Sequence, residues 1–342
     1  MISINSISKE VTTLDREKVS LYTQRIITSP FWVLVGKEVR DHIKSIRFNI
    51  LMVIILLTCI GSLYAALTQV RDVANNIEAG EELYLYLKIF TISGENGTLP
   101  PFVTFISFLG PLLGIAMGFD AINSEKNNKT LLRIMSQPIP RDYLILAKFT
   151  GSLFVIAFLV IMLGTLIFSL GILIMGIPPT FEEFIRVFVY LIMIIVYIGF
   201  WLALSILFSI LFKQAATSAL SGIAIWLFFS VFYSILVNLL VTASVPDQLF
   251  QDAQGANQDK ITTYMRLSPN YLFSEITTVL LNPGFRTLGP VTMEQAKGAI
   301  PSPLAINESL MIVWPQFIGI LALSTICFLI AYTIFMRQEI RS

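Results

Sequence analysis

The side chains best placed to do chemistry lie between Asp120 and Lys148, a charged segment between two long apolar runs. Glu125 and Lys129 stand four residues apart, the spacing of a favourable ion pair on a helix. Thr130 follows, and Leu131, Leu132, Ile134 and Met135 then supply an apolar side, interrupted only by Arg133. After Ser136, Pro138 and Pro140 stop the helix, and Arg141 and Lys148 lead into the next apolar run. A short helix over about 123–137, carrying both charge and apolar bulk, is suited to dock in a groove on a soluble partner. A helix resting on a lipid surface is the plainer alternative.

Other chemistry is missing from the chain. His42 is the single histidine, and there is no HExxH, no Cys/His cluster and no pair of aspartates inside an apolar run. The sequence therefore predicts neither catalytic residues nor a metal site. It also lacks GxxxxGK[ST], so it has no phosphate-binding loop of its own. Cys59 and Cys327 both fall inside apolar runs, where thiols act as small packing residues. The net charge of +1 does not point to nucleic acid.

The elements that must position this segment are membrane spans. Residues 48–70, 96–119, 149–181, 187–212, 214–246 and 309–336 contain no Asp, Glu, Lys, Arg or His. Each run exceeds the roughly 20 residues that a helix needs to cross the hydrocarbon. None alternates as a barrel strand would, so the expected fold is an all-α integral membrane protein with six spans. With the N-terminus in the cytoplasm, the inner segments hold Lys37, Arg40, Lys44, Arg47, Lys126, Lys129, Arg133, Arg141, Lys148, Lys213, Arg337 and Arg341 close to the membrane. The outer ones hold Arg71, Lys88, Arg186, Lys260, Arg266, Arg286 and Lys297. Short basic loops stay inside, which predicts a multi-pass protein of the cell membrane with both termini cytoplasmic.

Residues 1–28 read as a polar cytoplasmic lead without signal-peptide layout. Over 29–47, Trp32, Val35, Val39, Ile43 and Ile46 recur at helical spacing, while Lys37, Arg40, Lys44 and Arg47 line another side. Such a helix lies in the membrane interface as an elbow, with its cations among lipid phosphates. Residues 48–342 then form the transmembrane domain. On the second span Gly110, Gly114 and Gly118 make overlapping small-xxx-small steps, which let helix backbones approach closely. Outside the membrane, 71–95 has the pattern of an amphipathic helix and 247–308 is the longest soluble piece; together they read as a small extracytoplasmic cap.

Phe119-Asp120, Glu125, Thr130-Leu131, Ser136-Gln137-Pro138, Arg141 and Lys148 resemble the pattern of the membrane subunits of ABC-2 type ATP-binding cassette transporters. In that pattern an acidic residue ends the second span, "E…GTL…LLS.P..R" follows, and a lysine enters the third. Lys129 departs from it, standing where the family usually has glycine. The resemblance implies a permease subunit that pairs with an identical or related subunit over two separate nucleotide-binding subunits. It implies export as the commoner direction, with no cofactor on this chain and ATP and Mg on the partner. It also implies that 123–137 is the coupling helix, with Glu125, Thr130, Leu131, Leu132 and Met135 as the contacts. Two other readings stay open from the residues: a scaffold or sensor that signals to a cytoplasmic partner, and an ion-coupled carrier. The carrier reading lacks its cue, an inverted repeat with broken helices.

Overall fold

The computed structural model describes residues 30–74, 84–92, 99–130, 139–176, 178–243, 254–284 and 304–338, and among these there is no strand. A short helix α1 (Pro30–Lys44) precedes the first span, α2 (Ile46–Ala74). Helix α3 (Leu85–Thr91) leads to the second span α4 (Phe102–Gly118) and a short helix α5 (Asn123–Asn127). The third and fourth spans are α6 (Arg141–Met175) and α7 (Phe181–Leu211). The fifth is α8 (Ala215–Leu227) and α9 (Tyr233–Ala243), joined through a π-turn at Phe228–Phe232. Helices α10 (Gln254–Met265) and α11 (Pro269–Leu281) precede the sixth span, α12 (Ile306–Arg337). Six helices are therefore long and apolar enough to cross a membrane, as the charge-free runs predict.

The fourth span is the central column. Buried residues make up 72% of its apolar window against 17% in the fifth and sixth spans, so the others pack around it. Its start is fixed by a reciprocal cap: Glu183 N–H donates to Thr180 Oγ1 (3.3 Å), and Thr180 N–H donates to Glu183 Oε2 (2.8 Å). The second span reaches this column through its glycines. A Cβ at Gly114 would come within 2.7 Å of Ile198 O, and one at Gly118 within 2.7 Å of Ser205 Cβ. Gly110 faces Ile198 in the same seam, at 3.1 Å from Cγ1. The small-residue stripe thus packs within the subunit, and Ser205 Oγ donates to Ile115 O across it (2.9 Å).

At the end of the bundle opposite α1, the loops do more than cover the spans. Leu85, Tyr86, Leu87, Ile89 and Phe90 of α3 are buried, and Glu183 Oε1 accepts from Tyr86 N–H (2.9 Å). Helix α11 is wedged among the spans, its Phe273 stacked on Tyr197 of the fourth (4.2 Å between centroids, 6° between planes). Tyr197 OH donates to Asn270 Oδ1 (2.8 Å), and Asn270 Nδ2 donates to Ser230 in the π-turn. Arg186, fully buried, donates to Glu182 (2.9 Å), Ser309 Oγ (3.1 Å) and the carbonyls of Leu280 and Leu304. One guanidinium fork therefore ties α11 to the start of the sixth span. The expected soluble outer pieces are, where described, partly built into the bundle. Residues 75–83, 93–95, 247–253 and 285–303 of those pieces lie outside the described residues.

Candidate functional site

Helix α1 has three faces, whereas the sequence pattern suggested two. Phe31, Leu34, Val35, Glu38 and His42 recur at three- and four-residue spacing and turn towards α6. Trp32 and Ile43 are exposed on an apolar face, and Arg40 and Lys44 are exposed beside it. The approach to α6 is close because position 151 is glycine: a Cβ there would sit 2.9 Å from Glu38 Cβ.

That approach buries charge. Lys148, on the second turn of α6, is 4% exposed, and its Nζ lies 3.2 Å from Glu38 Oε1 and 2.9 Å from Glu125 Oε1. Lys37 Nζ reaches the same two carboxylates, at 3.2 and 3.3 Å. Two cations thus face two anions drawn from three elements: the elbow, the segment after the second span and the third span. Burial opposes the charge on Glu38, but Lys148 and Lys37 outweigh it and hold the carboxyl below its ordinary range. Burial likewise opposes the Lys37 ammonium, and Glu38 and Glu125 overcome it and raise its pKa. His42 Nε2 pairs with Ser152 Oγ at 2.8 Å, one turn along α6 from Lys148. Burial lowers the His42 pKa; Glu38 pulls it back and Lys148 pushes it down again. A second bridge, Arg47 to Asp120 at 2.9 Å, joins the start of the first span to the end of the second, with Arg47 over the Phe119 ring. These groups line a polar cavity of about 310 Å³.

Helix α5 is held from behind by the fourth span, where Ser209 Oγ accepts from the N–H groups of Ile122 (3.0 Å) and Asn123 (3.3 Å). A single helix over 123–137 was expected, but α5 ends at Asn127 and Lys129 takes a left-handed backbone (φ 55°). Helical hydrogen bonding cannot pass through that conformation, so the segment turns there. Thr130 Oγ1 closes the turn by donating to Glu125 O (3.2 Å). The φ also gives a physical reason for glycine at this position in the resembled pattern. The expected Glu125–Lys129 pair is replaced, because Glu125 points inward to Lys148 and Lys37 while Lys129 is exposed. Glu125, 6% exposed, is accordingly turned into the bundle as a partner of Lys148 and Lys37.

Of the other expected site residues, Thr130 and Arg141 are exposed, and Asp120 is bound to Arg47. Leu131, Leu132, Met135, Ser136 and Pro138 lie outside the described residues. Lys37 and Arg47 are engaged with carboxylates instead of standing free for lipid phosphate: Glu125 and Asp120 arrive from distant parts of the chain, and Glu38 and Asp41 lie beside Lys37 on its own helix. Glu38, His42, Ser152 and Ser209 were missed as site residues. The signal for Glu38 and His42 was present, in the stripe they share with Leu34 and Val35. No group of three or more His, Cys, Asp or Glu side chains among the described residues could hold a metal ion.

Six spanning helices, an elbow beside them and a buried charge cluster at the turn between the second and third spans define a multi-pass helical membrane protein. The family model described as ABC-2 family transporter protein matches residues 32–340, and the chain belongs to that family. Its role is thus that of a membrane component of transport, a permease. Comparison with curated proteins returns no match.

Proposed function

We propose that this chain is the permease subunit of an ATP-driven exporter, working as one of two membrane subunits over two separate nucleotide-binding subunits. ATP and Mg bind those partners, and this chain carries no catalytic group. The elbow side faces the cytoplasm of a cell-membrane protein, in line with the basic residues gathered there. The segment from Lys126 to Pro138 meets the motor, with Lys129, Thr130, Leu131, Leu132 and Met135 as its contacts.

The observation that carries this reading is Lys148, shared between Glu125 behind the contact segment and Glu38 on the elbow. A push on the segment reaches the third span and the elbow through Glu125 and one ammonium. Breaking a buried pair by removing one partner costs roughly 3–5 kcal/mol, so the three elements are held as one body.

The test is a pair of spin labels at Val33 on the elbow and Leu211 at the end of the fourth span, read in the reconstituted complex with and without ATP and Mg. The distance should change in the otherwise wild-type complex. It should stop changing in Lys148→Met while the ATPase subunit stays bound. No nucleotide-dependent change in the otherwise wild-type complex overturns the reading.

A further inference from the structure

Below the elbow lies a second cavity of opposite character, about 350 Å³ in volume. Val39 and Ile43 of α1 roof it, Phe48 and Met52 of α2 form one wall, and Val155 and Phe158 of α6 form the other. Asn49 is the one polar side chain on its lining among the described residues. From Val155 to Met162 the wall runs seven residues, or about 11 Å at 1.5 Å per residue. That is most of one leaflet's share of the roughly 30 Å hydrocarbon core. Ile50, Val53, Leu57, Phe154 and Phe158 are exposed on the same two spans, so the cleft opens where the bilayer must be.

The rim of this cleft is basic. Arg40 and Lys44 are exposed, four residues apart on α1, and neither has an ion-pair partner among the described residues. Lys37 and Arg47, by contrast, are occupied by Glu38, Asp41, Glu125 and Asp120. Two cations without an ion-pair partner among the described residues thus stand beside the roof of an apolar slot that opens to lipid.

We propose that this cleft is a binding site for one anionic phospholipid of the membrane, its acyl chain under Val39 and Ile43 and its phosphate at Arg40 and Lys44. A lipid supplies both the apolar chain and the negative charge in one molecule, which a second copy of an apolar span would not. Snorkelling Lys and Arg side chains reach headgroup phosphate from such a position. The proposal rests on the membrane fold and not on the transport reading.

The experiment is native mass spectrometry of the purified full chain titrated with dioleoyl phosphatidylglycerol or dioleoyl phosphatidylcholine. Wild type should retain one phosphatidylglycerol with roughly tenfold or greater preference. Arg40→Gln with Lys44→Gln should remove the preference, and Ile43→Trp, filling the mouth from an exposed position, should lower retention of both lipids. A phosphatidylglycerol with a diazirine midway along its acyl chain should label peptides from 48–52 and 154–162. Equal retention of the two lipids by wild type overturns the proposal. Charge-dependent retention untouched by Ile43→Trp, with labelling spread over all the spans, also overturns it, since that is headgroup attraction alone. Dimers cross-linked through position 43 would assign the cleft to a second copy and overturn it too.

Discussion

Lys148 Nζ lies 2.9 Å from Glu125 Oε1, and both side chains are more than nine-tenths buried, at 4% and 8% exposure. The two residues are separated by the whole turn between the second and third spans, so their contact fixes how that turn sits on the bundle. Glu38 and Lys37 complete the set, with Asp41 3.6 Å from Lys37 at its exposed edge.

Lys148→Met should destabilise the protein by about 3 kcal/mol or more, because Glu38 and Glu125 keep their burial and lose an ammonium. Lys148→Met with Glu125→Gln should cost less than the sum of the two single changes. Unfolding of the detergent-solubilised variants, followed by helix signal against temperature, checks both. Additive losses would mean that the pair is not coupled.

Lys129 holds φ 55° without being glycine. Lys129→Gly should relieve about 1 kcal/mol of left-handed strain, and Lys129→Val should destabilise. The side chain is exposed, so no packing change offsets either effect. Opposite shifts of the unfolding midpoint are the expected result; equal shifts would place that residue in another conformation.

Gly114→Ala should cost about 1–3 kcal/mol, since its Cβ would meet the backbone of the fourth span at Ile198 O and Leu202 N. Gly61→Ala, with open space around it, should be neutral or mildly stabilising. Comparing the two midpoints separates the loss of close packing from the general effect of replacing glycine in a helix.

Acid should loosen the elbow in two stages. The His42 pKa is depressed on folding, chiefly by burial, from an ordinary value of 6.5. Its stability contribution is therefore complete above about 6.5 and is lost as pH falls through the folded value. The Glu38 carboxyl, also depressed, adds stability above its ordinary 4.5 that is lost on further acidification. The unfolding midpoint should fall between about pH 7.5 and 5.5, with a shallower fall in His42→Gln. An identical slope in that variant would remove His42 from the account.

The six spans were legible because hydrocarbon excludes charge, and helix α1 was legible as a helix because its apolar positions recur at helical spacing. The buried cluster was not. Glu38 and Glu125 each have basic neighbours in sequence, and only the fold reveals that both anions turn inward to Lys148. Helices α3 and α11 look like surface segments because they carry Lys88, Asn270 and Glu275. In the structure Asn270 and Glu275 are matched by Tyr197, Ser230, Arg266 and Gln316. The turn at Lys129 was marked only by the departure from glycine; a side chain type alone does not reveal a positive φ.

The most direct measurement is recovery of an ATP-binding subunit with the tagged chain from its own membrane in mild detergent, comparing wild type with Leu131→Asp and Leu132→Asp. A charge placed in a docking groove is expelled, so near-equal stoichiometry with wild type and loss of the subunit from both variants, each still in the membrane, is the predicted result. Undiminished recovery with both variants would contradict docking through this segment. No ATP-binding subunit with wild type would contradict the proposed assembly.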